Sequence, residues 1–228
     1  MKIFRHEKAS EKHQLGPEST KDLEVITTHI EKFWGPIETT FHELVSDYVH
    51  IDVHFVAPTA ERPFRVLVTS GMSDRPMTAS PGAEDFTFGE LVIALPPDWP
   101  LDENSTKDEN NWWPVRWLKQ LARFPHEYET LLGFGHTIPN GDPAEPFAPN
   151  TGFCCTLLCQ PVLADDGCEE LVVRPDKTIH FYSFIPIYRE EMEFALEHGS
   201  RELIGKLSDA GATELLDLQR PNVIHRNA

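Results

Sequence analysis

The chain is short of cysteine and of positive charge, and it has no long apolar run. Four cysteines occur in 228 residues: Cys154, Cys155, Cys159 and Cys168. No pair has the C-x-x-C spacing, which excludes a zinc knuckle or a dithiol redox motif. On a strand, Cys154 and Cys155 face opposite ways, and Cys155 and Cys159 lie roughly 13 Å apart, beyond disulfide reach. Free buried thiols in a reducing compartment are the expectation. Lysine and arginine total 20 against 37 acidic residues, a formal net charge of −17. Such a field repels phosphate backbones and anionic lipid, so neither nucleic acid nor a membrane surface is an expected partner. It favours a basic protein. The sequence holds no apolar stretch long enough to span a bilayer. Residues 1–15 are charged and lack an apolar signal core, so the cytosol is the expected location.

Motifs of common chemistries are also missing. There is no phosphate-binding G-x-x-x-x-G-K-[ST], no dinucleotide fingerprint and no G-x-S-x-G nucleophile elbow. Gly133-x-Gly135 is only a fragment of a phosphate loop. No catalytic set is complete, and neither a cofactor nor a bound metal is expected.

What is present builds a folded domain. Apolar residues make up 40%, with 14 Phe and 5 Trp, enough for a substantial core. Nineteen prolines imply long connections between short elements. Leu23, Ile26, Ile30, Phe33 and Trp34 share one helical face, with Ser19 as a candidate cap and Gly35-Pro36 as the stop. From Val49 to Val56, His50, Asp52 and His54 alternate with Ile51, Val53 and Phe55, the pattern of a half-buried strand. Phe64–Thr69, Leu91–Leu95, Phe153–Leu158 and Ile179–Tyr188 read as further strands, the first forming a hairpin with its predecessor. A helix is expected from about Pro114, interrupted at Pro125, with a short helix over 126–132. Glu190–Glu197 and a segment capped by Ser200 read as helices, and Leu215–Leu218 as a docking tail. Strands and helices mix without βαβ alternation. The expected fold is therefore α+β, a mixed or antiparallel sheet flanked by helices, with residues 1–16 a flexible arm and 17–228 a single domain.

Three constellations carry possible chemistry. The loop Gly133–Pro143 is rich in Gly and Pro, hence rigid, and displays His136, Thr137, Asn140 and Asp142 as candidate partner contacts. A His near an Asp can also serve as a general base. In His50-x-Asp52-x-His54, neighbours on one strand face are roughly 7 Å apart and could share an ion, but the two histidines are roughly 13 Å apart and could not. A metal- or His-dependent hydrolase using these residues or His136 is the alternative. Trp112, Trp113 and Trp117 surround a helix start; Trp113 is a candidate contact if exposed and a core residue otherwise.

Several segments together resemble the suppressor-of-fused (SUFU) domain family in its short, single-domain bacterial form. They are Trp113-Pro114-Val115-Arg116-Trp117-Leu118-Lys119-Gln120-Leu121-Ala122-Arg123-Phe124, Leu132–Asn140 with Gly135-His136, and Phe181–Ile187 leading into Tyr188-Arg189-Glu190-Glu191-Met192-Glu193. Leu203-Ile204 and the strand and turn Arg65–Met72 fit as well. The likeness spans about residues 25–220 and implies an α+β binding protein without a catalytic centre. Animal members resemble cytoplasmic repressors that hold a transcription-factor peptide. Bacterial members resemble proposed immunity proteins that neutralise toxins. The animal pattern places an acidic residue before the loop histidine, where this chain has Gly135, so only His136 carries over as a candidate contact.

Overall fold

A computed structural model describes residues 3–8, 22–43, 48–102 and 105–224. Helix α1 (Leu23–Trp34) buries Ile26, Ile30 and Trp34 of the stripe that the periodicity predicts, and His29 beside them, while Leu23 and Phe33 are half-buried. It starts at Asp22; the proposed cap Ser19 lies outside the described residues. Gly35 ends it at φ 100, a conformation that glycine adopts without a Cβ penalty.

Strands β1 (Ile37–Phe41), β2 (Asp52–Val56), β3 (Arg65–Ser70) and β4 (Gly89–Leu95) form an antiparallel run. β4 then pairs in parallel with the long strand β8 (Lys177–Ile187). The other edge of β8 carries β7 (Glu170–Arg174) along its first half and β6 (Cys155–Cys159) along its second, both antiparallel. β5 (Thr137–Pro139) closes that end against β6. The result is one mixed sheet of eight strands. The α+β expectation holds, with the β4–β8 crossover supplying a parallel pair of strands.

Helices cover both faces. α2 (Glu109–Glu127) lays Trp113, Trp117, Leu118 and Leu121 on Val53, Phe55, Leu67, Ile93 and Phe184. α1 covers Val66, Val68, Val92 and Phe181 on the opposite face. α3 (Arg189–His198) and α4 (Ser200–Asp209) pack Ala195, Leu203 and Leu207 on Cys155, Leu157, Ile185 and Ile187. The tail docks as expected: Leu215 bridges Ala94, and Leu216 N donates to Ala94 O at 2.8 Å.

Several expectations need correction, among them the short helix over 126–132, of which only His126 and Glu127 are helical, as the end of α2 (Glu109–Glu127). β2 is buried on both faces: Val53 and Phe55 join the cluster under α2, while Asp52 and His54 are hydrogen-bonded and Val56 joins the cluster under α1. α2 begins five residues before Pro114, capped by Asp108, whose carboxylate accepts from Asn110 N at 3.0 Å. Pro114 removes the donor owed to Asn110 O, and Asn150 Nδ2 replaces it at 3.0 Å. Pro125 does not break the helix; it stands in the last turn, where Tyr128 N still reaches Phe124 O at 3.0 Å. Ser200 opens α4 as its first residue, with Gly199 in the cap position.

Candidate protein-binding surface

The Gly/Pro loop is pinned to the sheet from both ends. Gly135 N donates to Leu158 O at 2.7 Å, and Leu158 N returns a bond to His136 O at 3.0 Å. β5 then zips onto β6, and Asn140 N donates to Cys154 O at 2.8 Å. Asn140 Nδ2 closes the next turn on the carbonyls of Glu145 and Pro146 at 2.9 and 3.1 Å. Its amide is therefore a positioning group that holds the turn. Gly135 has φ 80, and a Cβ there would lie 2.7 Å from Ser200 Oγ at the start of α4. The positive φ, strained for a residue with a Cβ, favours glycine before His136, and the approach to Ser200 adds to it.

Phe134, His136 and Asp142 are among the side chains left on the surface, with Thr137 half-buried between them. Phe134 is 45% exposed, the loop's most evident apolar contact group, and the sequence reading passed over it. Its position between two glycines in a rigid loop was the available signal. The packing around the His136 ring lowers its pKa, partly offset by a hydrogen bond to the backbone of Leu131. No hydrogen bond joins His136 to Asp142; Asp142 instead lies 3.5 Å from Arg5. Trp113 is fully buried, stacked on Phe147 with ring centres 5.1 Å apart and edge-on to Phe184. It belongs to the core under α2 and presents no surface.

Of the expected strand residues His50 and His54, only His54 lies on β2, His50 standing just before it, and the histidines here separate into two settings. His50 Nε2 and His42 Nδ1 lie 3.1 and 2.9 Å from the two oxygens of Asp52, whose carboxylate is buried. Glu43 N adds a bond to Asp52 at 3.2 Å. Beside them Glu43 takes Lys119 at 3.3 Å and a close contact from Arg123, both from α2. Burial opposes the charge on Glu43, but Arg123, Ile51 N and Lys119 together hold its carboxyl below the usual range. His54 is turned away, between Thr40 Oγ1 at 3.0 Å and Ser70 Oγ at 2.9 Å, and burial lowers it to about 4. Of the two neighbour pairs that the spacing allows, only His50 with Asp52 forms; His54 turns to Thr40 and Ser70, and His42, which the pattern does not include, takes the other Asp52 oxygen. Among the described residues no cluster of three His, Cys, Asp or Glu side chains is arranged to hold a metal ion.

The thiols are buried and unpaired by disulfides. Burial pushes Cys159 up to about 12 and Cys168 up to about 11, and raises Cys154 and Cys155 too. A thiol held protonated is a poor nucleophile. Cys155 packs against Met192, with sulfurs 3.2 Å apart, rather than against His136.

Comparison with known proteins decides what this arrangement belongs to. The model of the family described as Suppressor of fused protein (SUFU) matches residues 47–221, well over half of the chain. The chain belongs to the suppressor-of-fused family. A crystal structure of a SUFU homolog from Neisseria gonorrhoeae FA 1090 is 21% identical with TM-score 0.65, covering 89% of this chain and 97% of that one. A chain of the Sufu–Fu complex crystal structure is 17% identical with TM-score 0.63, covering 90% and 93%. Drosophila Suppressor of Fused is 18% identical with TM-score 0.53; the match covers 76% of this chain and 42% of that one. No curated protein sequence gives a significant match. The SUFU match takes in the loop and all of α2, whereas residues 3–8, α1 and β1 lie before it. No helix among the described residues is long and apolar enough to cross a membrane.

Proposed function

We propose that this SUFU chain is a non-catalytic module that captures a basic protein or peptide through the face carrying Phe134, His136, Thr137 and Asp142. Asn140 positions that face. In this reading residues 17–228 act as one binding domain behind the arm 1–16. The observation that carries the proposal is a firmly anchored loop presenting an aromatic ring, an imidazole and a carboxylate on a protein of net charge −17. Aromatic anchors supply much of the energy of protein interfaces, and charge of opposite sign speeds association. A relative of the same fold was solved as the Sufu–Fu complex, which supports capture of a protein. Buried free thiols are compatible with a reducing cytosol. The acidity suits an immunity protein whose target is a toxin with a basic cleft.

The test is affinity capture with the purified chain, followed by calorimetry on the captured protein. The expected result is a 1:1 complex that Phe134→Ala weakens about tenfold or more, a loss common for a central aromatic anchor. Unchanged binding by Phe134→Ala, His136→Ala and Asp142→Asn would remove this face from the account.

A further inference from the structure

Residues 3–8 have no regular secondary structure, yet their side chains are placed. Arg5 Nε lies 3.5 Å from Asp142 Oδ2. His6 meets Phe124 edge-on with ring centres 6.0 Å apart. Lys8 Nζ lies 3.5 Å from Glu127 Oε2 and 5.9 Å from the centre of the Tyr128 ring. Phe124 and Tyr128 pack together at 4.6 Å, at the C-terminal end of α2. The arm therefore lays cationic side chains over a patch that is both aromatic and acidic, and that reaches the loop at Asp142.

Two features make this more than a loose end of chain. The arm has the charge opposite to the molecule: Lys2, Arg5 and Lys8 stand against Glu7 alone in residues 1–8, in a protein of −17. Its hold is also slight. The Arg5 and Asp142 side chains stay 81% and 80% exposed, and Phe4 is 69% exposed. Exposed ion pairs are weak, so a segment with one more buried contact displaces such an arm.

We propose that residues 3–8 act as an internal stand-in for the partner. The patch formed by Phe124, Glu127, Tyr128 and Asp142 receives a basic peptide segment of that partner, and the arm must leave before it docks. This rests on the reading that the chain captures a basic protein. Its chemistry is cation–π contact plus ion pairing, which suits Arg or Lys beside an aromatic residue. Occupancy by the arm lowers the apparent affinity by the fraction of molecules in which the patch is free.

The experiment uses a fluorescent peptide of the sequence of residues 1–8 and full-length protein. Anisotropy titrations compare the wild-type chain with Arg5→Glu/Lys8→Glu, in which the arm is repelled from its own patch. The double variant is expected to bind the peptide about fivefold or more tightly than wild type. Adding Glu127→Gln/Asp142→Asn is expected to abolish the gain. A scrambled peptide of the same composition controls for net charge and is expected to show little of it. Equal binding by wild type and double variant overturns the inference. So does a gain that survives Glu127→Gln/Asp142→Asn, or one that the scrambled peptide reproduces. These titrations need no natural partner, so they fail independently of the capture reading.

Discussion

Gly71 shows how one residue fixes the geometry beneath the polar cluster. It sits at φ 104, and a Cβ there would lie 1.8 Å from the carbonyl oxygen of His50. Neither the backbone nor that contact tolerates a side chain, so Gly71→Ala is expected to cost about 3 kcal/mol or more. A fall in urea midpoint at unchanged slope would show it. Glu90 gives a pH signature. It is fully buried on β4, accepting from Thr69 Oγ1 at 2.6 Å, Ser73 N at 3.0 Å and Ser73 Oγ at 2.7 Å. Burial raises its carboxyl from 4.5 to about 7 in spite of those donors. The folded state then holds a proton that the unfolded chain has released. Its contribution is complete at low pH and is lost as pH rises from 4.5 to about 7. His54 and His126 act in the opposite direction. Burial lowers each from 6.5 to about 4, so their contribution is lost as pH falls through that window. Comparing wild type with Glu90→Gln isolates the carboxyl. Wild type is expected to lose about 2–3 kcal/mol relative to the variant between about pH 5 and about pH 8, measured by urea unfolding. A constant difference across that range would contradict the assignment.

Among the elements, α2 and β8 organise the rest, and their legibility differed. The apolar stripe of α1 and the long apolar run of β8 were readable because packing there follows local periodicity; β2 was readable as a strand, but its burial on both faces was not. The start of α2 was not, since Asp108 caps it through a polar loop and Asn150, distant in sequence, compensates Pro114. β1, β5 and β7 escaped the reading because each is short and exists through its pairing with a neighbour. The loop was legible as rigid, but the division of labour inside it was not. Asn140 turns inward because its carbonyl partners lie five and six residues on, and Phe134 is left outside. Trp113 follows the same logic, since only the position of Phe147 shows that it is sandwiched. Trp113→Ala is expected to cost about 3–5 kcal/mol in unfolding free energy, as for other buried aromatic truncations. A change under about 1 kcal/mol would place it outside the core. The last strand, α3 and the tail are tied by Arg220, whose guanidinium meets both Glu191 oxygens at 2.7 Å. Val223 N also donates to that carboxylate at 2.9 Å. Removing the cation leaves a buried carboxylate uncompensated, so Arg220→Ala is expected to destabilise by about 3–5 kcal/mol.

At the scale of the whole molecule, a sheet covered on both faces holds a stiff loop at one end. The excess of acidic residues surrounds this frame with a field suited to a cationic partner. Steering by such a field is screened by salt, with a range of about 8 Å at physiological ionic strength. The central claim is that the chain acts by stoichiometric capture of a basic protein. Its most direct check is calorimetry of the purified chain with its captured protein at about 50 mM and about 500 mM salt. A 1:1 complex whose affinity falls about tenfold or more at the higher salt is the predicted result. Tight binding indifferent to salt, or chemical turnover of the captured molecule, would contradict it.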